Sequence, residues 1–398
     1  MQELAATSVR AIPRTVWALG LVSLFMDLSS ELVHSLLPVF LVGTLGVSVL
    51  TVGLIEGVAE ATALIVKVFS GALSDFIGRR KGLLLLGYGL AALTKPLFPL
   101  AASADTVFTA RILDRVGKGI RGAPRDALVA DVATAEIRGA CFGLRQSLDT
   151  VGAFLGPILA ILLMLWFAGE ITWVLWFAVI PAAVAVGLLL FGVSEPSQEG
   201  SGQQFRSPIN PRSLRQFSRA YWWVVGIGAV FTLARFSEAF LVLRALQSGF
   251  SATWVPLVMV VMAAFYMLSA YPVGKWSDRV SRTALLGAGL LLLIVADLVL
   301  AYADSSAMAL LGVALWGLHM GFSQGILASL VADTTPADLK GTAFGLFNLA
   351  SGLALLLASV IAGWLWQEFG AAVTFYAGAG FSVVALLLLL TRRRLIET

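Results

Sequence analysis

The feature that most limits what this chain can fold into is a series of twelve long apolar runs. They lie at about 16–43, 47–74, 82–103, 105–130, 140–168, 171–193, 220–246, 252–274, 283–303, 307–332, 341–366 and 371–391. Roughly 20 mostly apolar residues suffice to cross a bilayer as a helix. Hydrocarbon offers no partner for open backbone N–H and C=O groups, so only helices or a closed barrel can span it. Runs this long and continuous read as helices. Composition agrees, at 59% hydrophobic and 13% charged, where a soluble domain is about half apolar and about a quarter charged. The expected fold class is an all-α membrane protein with twelve transmembrane helices. Six runs precede residue 194 and six follow residue 219, and the stretch between them is rich in Ser, Pro, Gln and Arg. That composition reads as a linker. The expected organisation is a six-helix bundle over 1–193, a linker over 194–219 and a second six-helix bundle over 220–398.

The two termini and every even-numbered connection carry Lys or Arg, 17 of the 27 in the chain. The odd-numbered connections carry only Asp105, Glu170, Asp304 and Glu368. Basic residues collect on the cytoplasmic side, so both termini and the linker are expected there, in a multi-pass protein of a bacterial inner membrane. Residues 1–15 are short and lead into an apolar run too long for a cleaved secretory signal. The single cysteine, Cys141, supports neither a disulfide framework nor a cysteine metal site. The two histidines are far apart, no Walker loop is present, and no catalytic constellation stands out. No cofactor, metal, enzymatic activity or ATP-driven pumping is expected. The net charge of +4 sits where topology needs it, so nucleic acid is not an expected partner.

The chain also repeats itself. Gly71-Ala72-Leu73-Ser74-Asp75-Phe76-Ile77-Gly78-Arg79-Arg80-Lys81 is echoed by Gly274-Lys275-Trp276-Ser277-Asp278-Arg279-Val280-Ser281-Arg282, and Asp75 and Asp278 are 203 residues apart. Asp131 with Glu136–Leu144 is echoed by Asp333 with Asp338–Leu346, 202 residues later. Two matches at nearly one offset mean two similar halves in tandem. On these residues the chain resembles the major facilitator superfamily over nearly its whole length. Gly71–Lys81 is similar, at every fixed position, to that family's Gly-x-x-x-Asp-x-x-Gly-Arg-(Arg/Lys)-(Arg/Lys) signature between helices 2 and 3. The second copy departs from it, with Ser281 in place of the second glycine. Arg115-Val116-Gly117-Lys118-Gly119 resembles the Arg-x-x-x-Gly motif of proton-coupled members. Gly152-Ala153-Phe154-Leu155-Gly156-Pro157 resembles part of the Gly-Pro motif of exporters.

The resemblance implies two six-helix bundles around a central cavity open to one side at a time, as in proton-coupled bacterial efflux and antiporter members. It further implies a conformational latch formed by Gly71, Asp75, Gly78, Arg79 and Asp278. In that latch Asp75 docks near Gly341, at the start of helix 11, where a helix carries partial positive charge.

Charges inside the apolar runs are costly and tend to face a cavity or a partner. Helices 1–6 hold most of them, and helices 7–12 hold only Arg235, Glu238, Arg244 and Asp297. Asp27, Glu31 and His34 fall on one face of helix 1. Two close carboxylates in a low dielectric do not both ionise readily. Asp27 and Glu31 are therefore candidate proton-coupling residues, and the resemblance implies the same role for Arg115 of helix 4. Permanent pairing with the basic face of helix 4 is the alternative. On that face Arg111 and Lys118 are candidate ligands for an anion, since basic side chains hold carboxylates and phosphates. His34, Arg235, Glu238, Trp316, His319 and Gln324 complete the candidate substrate cavity, although packing is the ordinary use of a lone Trp or His in a span. Glu56, Glu60 and Lys67 share a face of helix 2 and are expected to pair across to helix 4 or Arg235. Arg145 with Asp149, and Arg235 with Glu238, have the spacing of pairs on one helix. Trp222, Trp223, Trp254 and Trp366 fall near expected membrane interfaces.

These residues describe a secondary active transporter that uses the proton gradient to move a small organic solute by alternating access, with export ahead of import. Its expected partners are the solute, protons and the lipid bilayer, and a monomer suffices. One alternative is proton-symport uptake of an organic anion or metal chelate, motivated by the basic stripe of helix 4. The other is a membrane scaffold that transports nothing.

Overall fold

The computed structural model describes residues 12–134, 136–195, 214, 216–277, 279–336 and 339–391, and over these the chain forms twelve helices and no strand. α1 (Arg14–Val39) contains Pro38 and passes into a π-helical turn at Phe40–Thr44. A proline has no N–H to donate, so the regular ladder is interrupted where it sits. α2 (Val49–Ile77) starts at Ser48, whose hydroxyl accepts the Thr51 N–H, and stops at Gly78 with φ +66°. Only glycine adopts that left-handed cap without strain. α3 (Arg80–Thr94) tightens into a 3-10 turn at Lys95–Leu97, and α4 (Ala104–Val132) and α5 (Arg138–Trp166) complete the long N-terminal helices. α6 comes in two pieces, Ile171–Phe177 and Val179–Gly192. α7 is likewise broken, into Arg219–Ala234 and Ala239–Gln247. α8 (Leu257–Trp276), α9 (Arg282–Ala301), α10 (Ser306–Asp333), α11 (Lys340–Phe369) and α12 (Ala371–Thr391) follow.

The helices match the apolar runs closely, with two differences. The third ends at Leu97, not near 103, and the eighth begins at Leu257, not near 252, because Pro96 and Pro256 sit at those ends. Ten of the twelve are long and apolar enough to cross a membrane by length and composition. α3 is only 15 residues, and α4 is crowded with charge. α4 gives up hydrophobicity because its basic side chains meet acids inside the bundle.

In the N-terminal half α1 packs on α5 and α6, and α4 packs on α2 and α3; in the C-terminal half α10 packs on α8 and α9, and α12 packs on α7 and α9. The two halves meet along α2 and α11. A Cβ on Gly53 would lie 2.3 Å from the Ser359 carbonyl oxygen, one on Gly363 2.9 Å from Leu50 Cα, and one on Gly345 3.2 Å from Val68 Cγ1. The seam therefore runs nearly the full length of both helices. The halves also touch where α1 meets the second piece of α7 and where α5 meets α8.

The repeat read in the sequence has a structural counterpart. Arg80 pairs with Asp131 at 2.9 Å, and Arg282 pairs with Asp333, each partner 202 residues from its equivalent. Ser103 and Ser305, at the same offset, cap α4 and α10 through their hydroxyls.

Close approach between α1 and α5 rests on Gly152, where a Cβ would lie 2.2 Å from the Leu24 carbonyl oxygen. Gly152→Ala is expected to destabilise by about 1–3 kcal/mol. A lowered melting temperature of the detergent-purified protein would show this, and an unchanged midpoint would refute it. Large apolar side chains such as Phe191, Trp166, Leu93 and Leu268 are exposed on the outside, the surface a bilayer would cover. Trp222 and Trp254 are exposed as expected at interfaces, but Trp366 is buried against Phe240 and Phe375.

Candidate functional site

The charges of the N-terminal half sort into three connected groups. The first spans α1, α2 and α4. His34 Nδ1 lies 3.3 Å from Glu31 Oε2, one turn back on α1, and His34 Nε2 lies 3.7 Å from Glu56 Oε2 on α2. Glu56 is wholly buried and accepts a forked pair of hydrogen bonds from Arg111 of α4, at 3.0 Å from Nε and 2.7 Å from Nη2. Arg111 also reaches Glu60 Oε1 at 3.5 Å, and Arg115 Nη2 reaches the same oxygen at 2.8 Å. The local cause is simple. Glu56 and Glu60 are one turn apart on α2, and Arg111 and Arg115 are one turn apart on α4, so two packed helices present acids to bases at matching rises. The planar guanidinium fits the carboxylate fork.

The second group lies behind the first. Lys95 Nζ, in the 3-10 turn after α3, donates to Asp114 Oδ1 at 2.8 Å and to Ser30 Oγ at 3.0 Å, all buried. The third lies nearer the α2–α3 turn. Arg125 Nη1 donates to Asp149 Oδ1 of α5 at 3.1 Å and to Ser23 Oγ at 3.0 Å, and Arg145 lies 3.6 Å from both Asp126 and Asp149. The carboxyl groups of Asp27 and Asp149 lie beside each other and act electrostatically on one another. Two carboxyl groups that close can bond to each other only through a proton held between them.

Lys118 stands between the first and third groups. It is exposed, has no ion-pair partner within 4.0 Å among the described residues, and acts electrostatically on Asp27, Glu31, Glu60 and Asp149. It therefore faces the space enclosed by α1, α2, α4 and α5. Lys118→Ala is expected to change stability by less than about 0.5 kcal/mol, because no structural contact is lost. A melting-temperature shift beyond that scale would show that Lys118 supports the fold.

The C-terminal half contributes differently. Arg235 sits in the break of α7, its guanidinium carbon 5.7 Å from the centre of the Phe231 ring, and its Nε is buried without a partner. Glu238, just past the break, is within electrostatic reach of His34, Glu31 and Glu60 across the interface. His319 and Trp316 are buried at 0% and 1% exposure, their rings 5.3 Å apart.

Several expectations are met and several are changed. Glu31 and Arg115 face the bundle interior, and Glu56 and Glu60 do pair with α4. The carboxyl beside Asp27 is that of Asp149 of α5, and Glu31 instead turns to His34. Arg111 is not open to a ligand, because Glu56 grips it. Lys118 is open. Arg235 and Glu238 form no ion pair, since α7 is not helical between them and the one-turn spacing no longer applies. Lys67 has no ion-pair partner within 4.0 Å among the described residues. Trp316 and His319 are packed behind Phe231 and Phe236 and do not line an open surface. Gln324 is half-buried on α10. Near the signature turn, Gly71 lets α4 approach, its Cβ position being 3.3 Å from Ala123 Cβ. Asp75 pairs with Arg80 at 2.8 Å, Arg79 is exposed, and Asp278 lies outside the described residues. Arg145 and Asp149 stand 3.6 Å apart as their one-turn spacing implied, but their tie to Arg125 and Asp126 was not legible, because α4 and α5 present those faces to each other only in the folded bundle.

A sequence model of the Major Facilitator Superfamily matches residues 19–359 and 239–397. An uncharacterized MFS-type transporter of Methanocaldococcus jannaschii is 32% identical over 389 residues, covering 96% of this chain and 95% of its own. The inner membrane transport protein YajR of Escherichia coli is 25% identical, covering 93% of this chain and 81% of its own. Among solved structures, a mutant of the nucleoside transporter NupG superposes with a TM-score of 0.80 at 14% identity, covering 95% of this chain and 99% of its own. At that identity the likeness concerns the arrangement of helices alone.

Proposed function

The chain belongs to the major facilitator superfamily, and from that premise we propose that this transporter couples protons to the export of a small organic solute across the cytoplasmic membrane. The observation that carries the reading is the closeness of the Asp27 and Asp149 carboxyls, with Lys118, which has no ion-pair partner within 4.0 Å among the described residues, acting on both. A carboxyl pair holding one proton binds a basic group of a solute only after giving that proton up. Solute and proton then compete for the same acids, and competition for one site is the elementary requirement of exchange. The imidazole of His34 is hydrogen-bonded to Glu31 through Nδ1 and lies 3.7 Å from Glu56 at Nε2, so it passes protons between the two acids once that second contact closes to hydrogen-bond range.

In this reading the bundles 1–193 and 220–398 rock about the α2–α11 seam, with 194–219 as a cytoplasmic linker and both termini on the same side. Gly71, Asp75, Gly78, Arg79 and Asp278 form the latch, with Asp75 exchanging Arg80 for the start of α11. One chain holds every group named, so a monomer suffices.

A second reading is uptake of an organic anion with protons. The observation favouring it is a surplus of donors. Arg115 Nε, Arg121 Nη1 and Arg235 Nε are buried without acceptors among the described residues, and a ligand rich in acceptors would satisfy such groups.

Counterflow in proteoliposomes over a panel of organic bases and organic acids identifies what is exchanged. An imposed proton gradient then decides the coupling. Solute driven against the proton flow supports export by antiport, and solute driven with it supports symport. Exchange indifferent to the gradient would remove proton coupling, and no exchange of any panel member by a folded protein would favour the scaffold.

A further inference from the structure

One buried carboxyl has no part in that reading. Asp297 lies on α9 with no exposed surface, and neither of its oxygens has a hydrogen-bond partner among the described residues. Its surroundings are apolar. A Cβ on Gly378 of α12 would lie 2.7 Å from Asp297 Oδ2 and 3.1 Å from Phe236 Cε1, so the carboxyl and the Phe236 ring share the notch left by that glycine. Phe236 belongs to the break of α7, and its ring centre is 5.5 Å from those of Trp316 and Phe375. Trp316 Nε1, also buried, has no acceptor.

The repeat explains how such a group arose. At the offset of 202 that relates Arg80 to Arg282, Asp297 corresponds to Lys95, Trp316 to Asp114 and Thr232 to Ser30. In the N-terminal half these positions form the buried Lys95–Asp114–Ser30 contact. The C-terminal half keeps an ionisable group at the same place, with its charge reversed and its counter-ion replaced by a neutral indole. An ionised carboxylate there would have neither counter-charge nor hydrogen bond, a state that costs several kcal/mol. The neutral acid needs only one acceptor for its O–H.

We propose that Asp297 is a proton-binding site of the C-terminal half, separate from the ionic groups of α1, α2, α4 and α5. It holds a proton while α7 is packed as seen here. It yields that proton to water, becoming a carboxylate, when movement of α7 wets the notch at Gly378. The groups facing it are few. α12 has no charged residue over Ala371–Thr391, α10 presents Trp316 and, one turn on, His319, and α7 carries Arg235 and Glu238 on either side of Phe236. Nothing nearby competes as a permanent counter-ion.

Infrared spectroscopy of the full-length protein in lipid tests this without any transported solute. The carbonyl band of a protonated carboxylic acid is expected in the wild type, and the difference spectrum against Asp297→Asn is expected to contain it. Asp27→Asn should leave that band in place, which separates this proposal from the coupling role of Asp27. Should Asp297→Asn fail to fold, Gly378→Ala serves instead, since its methyl would press on Oδ2 and must shift the same band. The band should also shift in deuterium oxide as water reaches the notch. A difference spectrum without a protonated-acid band would show that Asp297 is ionised and overturn the proposal. A band that never exchanges would reduce Asp297 to a sealed core acid and overturn its exchange with water.

Discussion

Glu56→Ala is expected to destabilise the protein by about 3–5 kcal/mol, the cost of breaking a buried ion pair from one side. Glu56 is wholly buried, and Arg111, itself 1% exposed, donates to both of its oxygens. Removing the carboxylate leaves a guanidinium in the interior with only Glu60 at 3.5 Å to answer it, and Glu60 is already bound by Arg115 at 2.8 Å. It also removes one of the two acids flanking His34. The measurement is the melting temperature of the purified protein. Glu56→Gln, which keeps the shape and an acceptor oxygen, should cost less than Glu56→Ala. Glu56→Ala combined with Arg111→Leu should recover part of the loss, because an uncompensated charge is worse than none. If the double variant is no more stable than Glu56→Ala alone, the damage lies in packing and the electrostatic account fails.

Asp27→Asn is expected to abolish gradient-driven solute movement while leaving solute exchange and the fold in place. The amide keeps the shape of the side chain and can still bond to Asp149, but it cannot exchange a proton. Coupling free energies between two sites are typically about 1–3 kcal/mol, so the accumulation driven by an imposed gradient should fall by about 5–150-fold. Counterflow, which needs no gradient, should continue through the acid that remains. Asp149→Asn should behave alike, since the two neighbouring carboxyls act on each other. Unchanged accumulation in both variants would remove the pair from the mechanism. Loss of counterflow together with accumulation would show that solute binding needs both acids, against exchange through the one that remains.

The sequence by itself determined the architecture. Twelve spans, their order, and two similar halves were legible because each follows from a local rule. A backbone in hydrocarbon must close its own hydrogen bonds, and a repeat survives as matching residues at one offset. The faces of the helices were legible too, since Glu56 with Glu60 and Arg111 with Arg115 follow from 3.6 residues per turn. The partners of those faces were a matter for the tertiary structure. A helical pattern gives the direction of a side chain about its own axis, not the identity of the helix it meets. That depends on close approaches between distant segments, such as Gly152 on Leu24, which brings α5 and Asp149 to Asp27. Breaks are equally non-local. Nothing in the spacing of Arg235 and Glu238 announces that α7 opens between them, where Ser237 N–H turns to the Ser359 hydroxyl of α11. Asp297 could be read from the sequence as a costly charge, but its isolation became visible only when α7, α9, α10 and α12 closed around it and supplied no counter-ion.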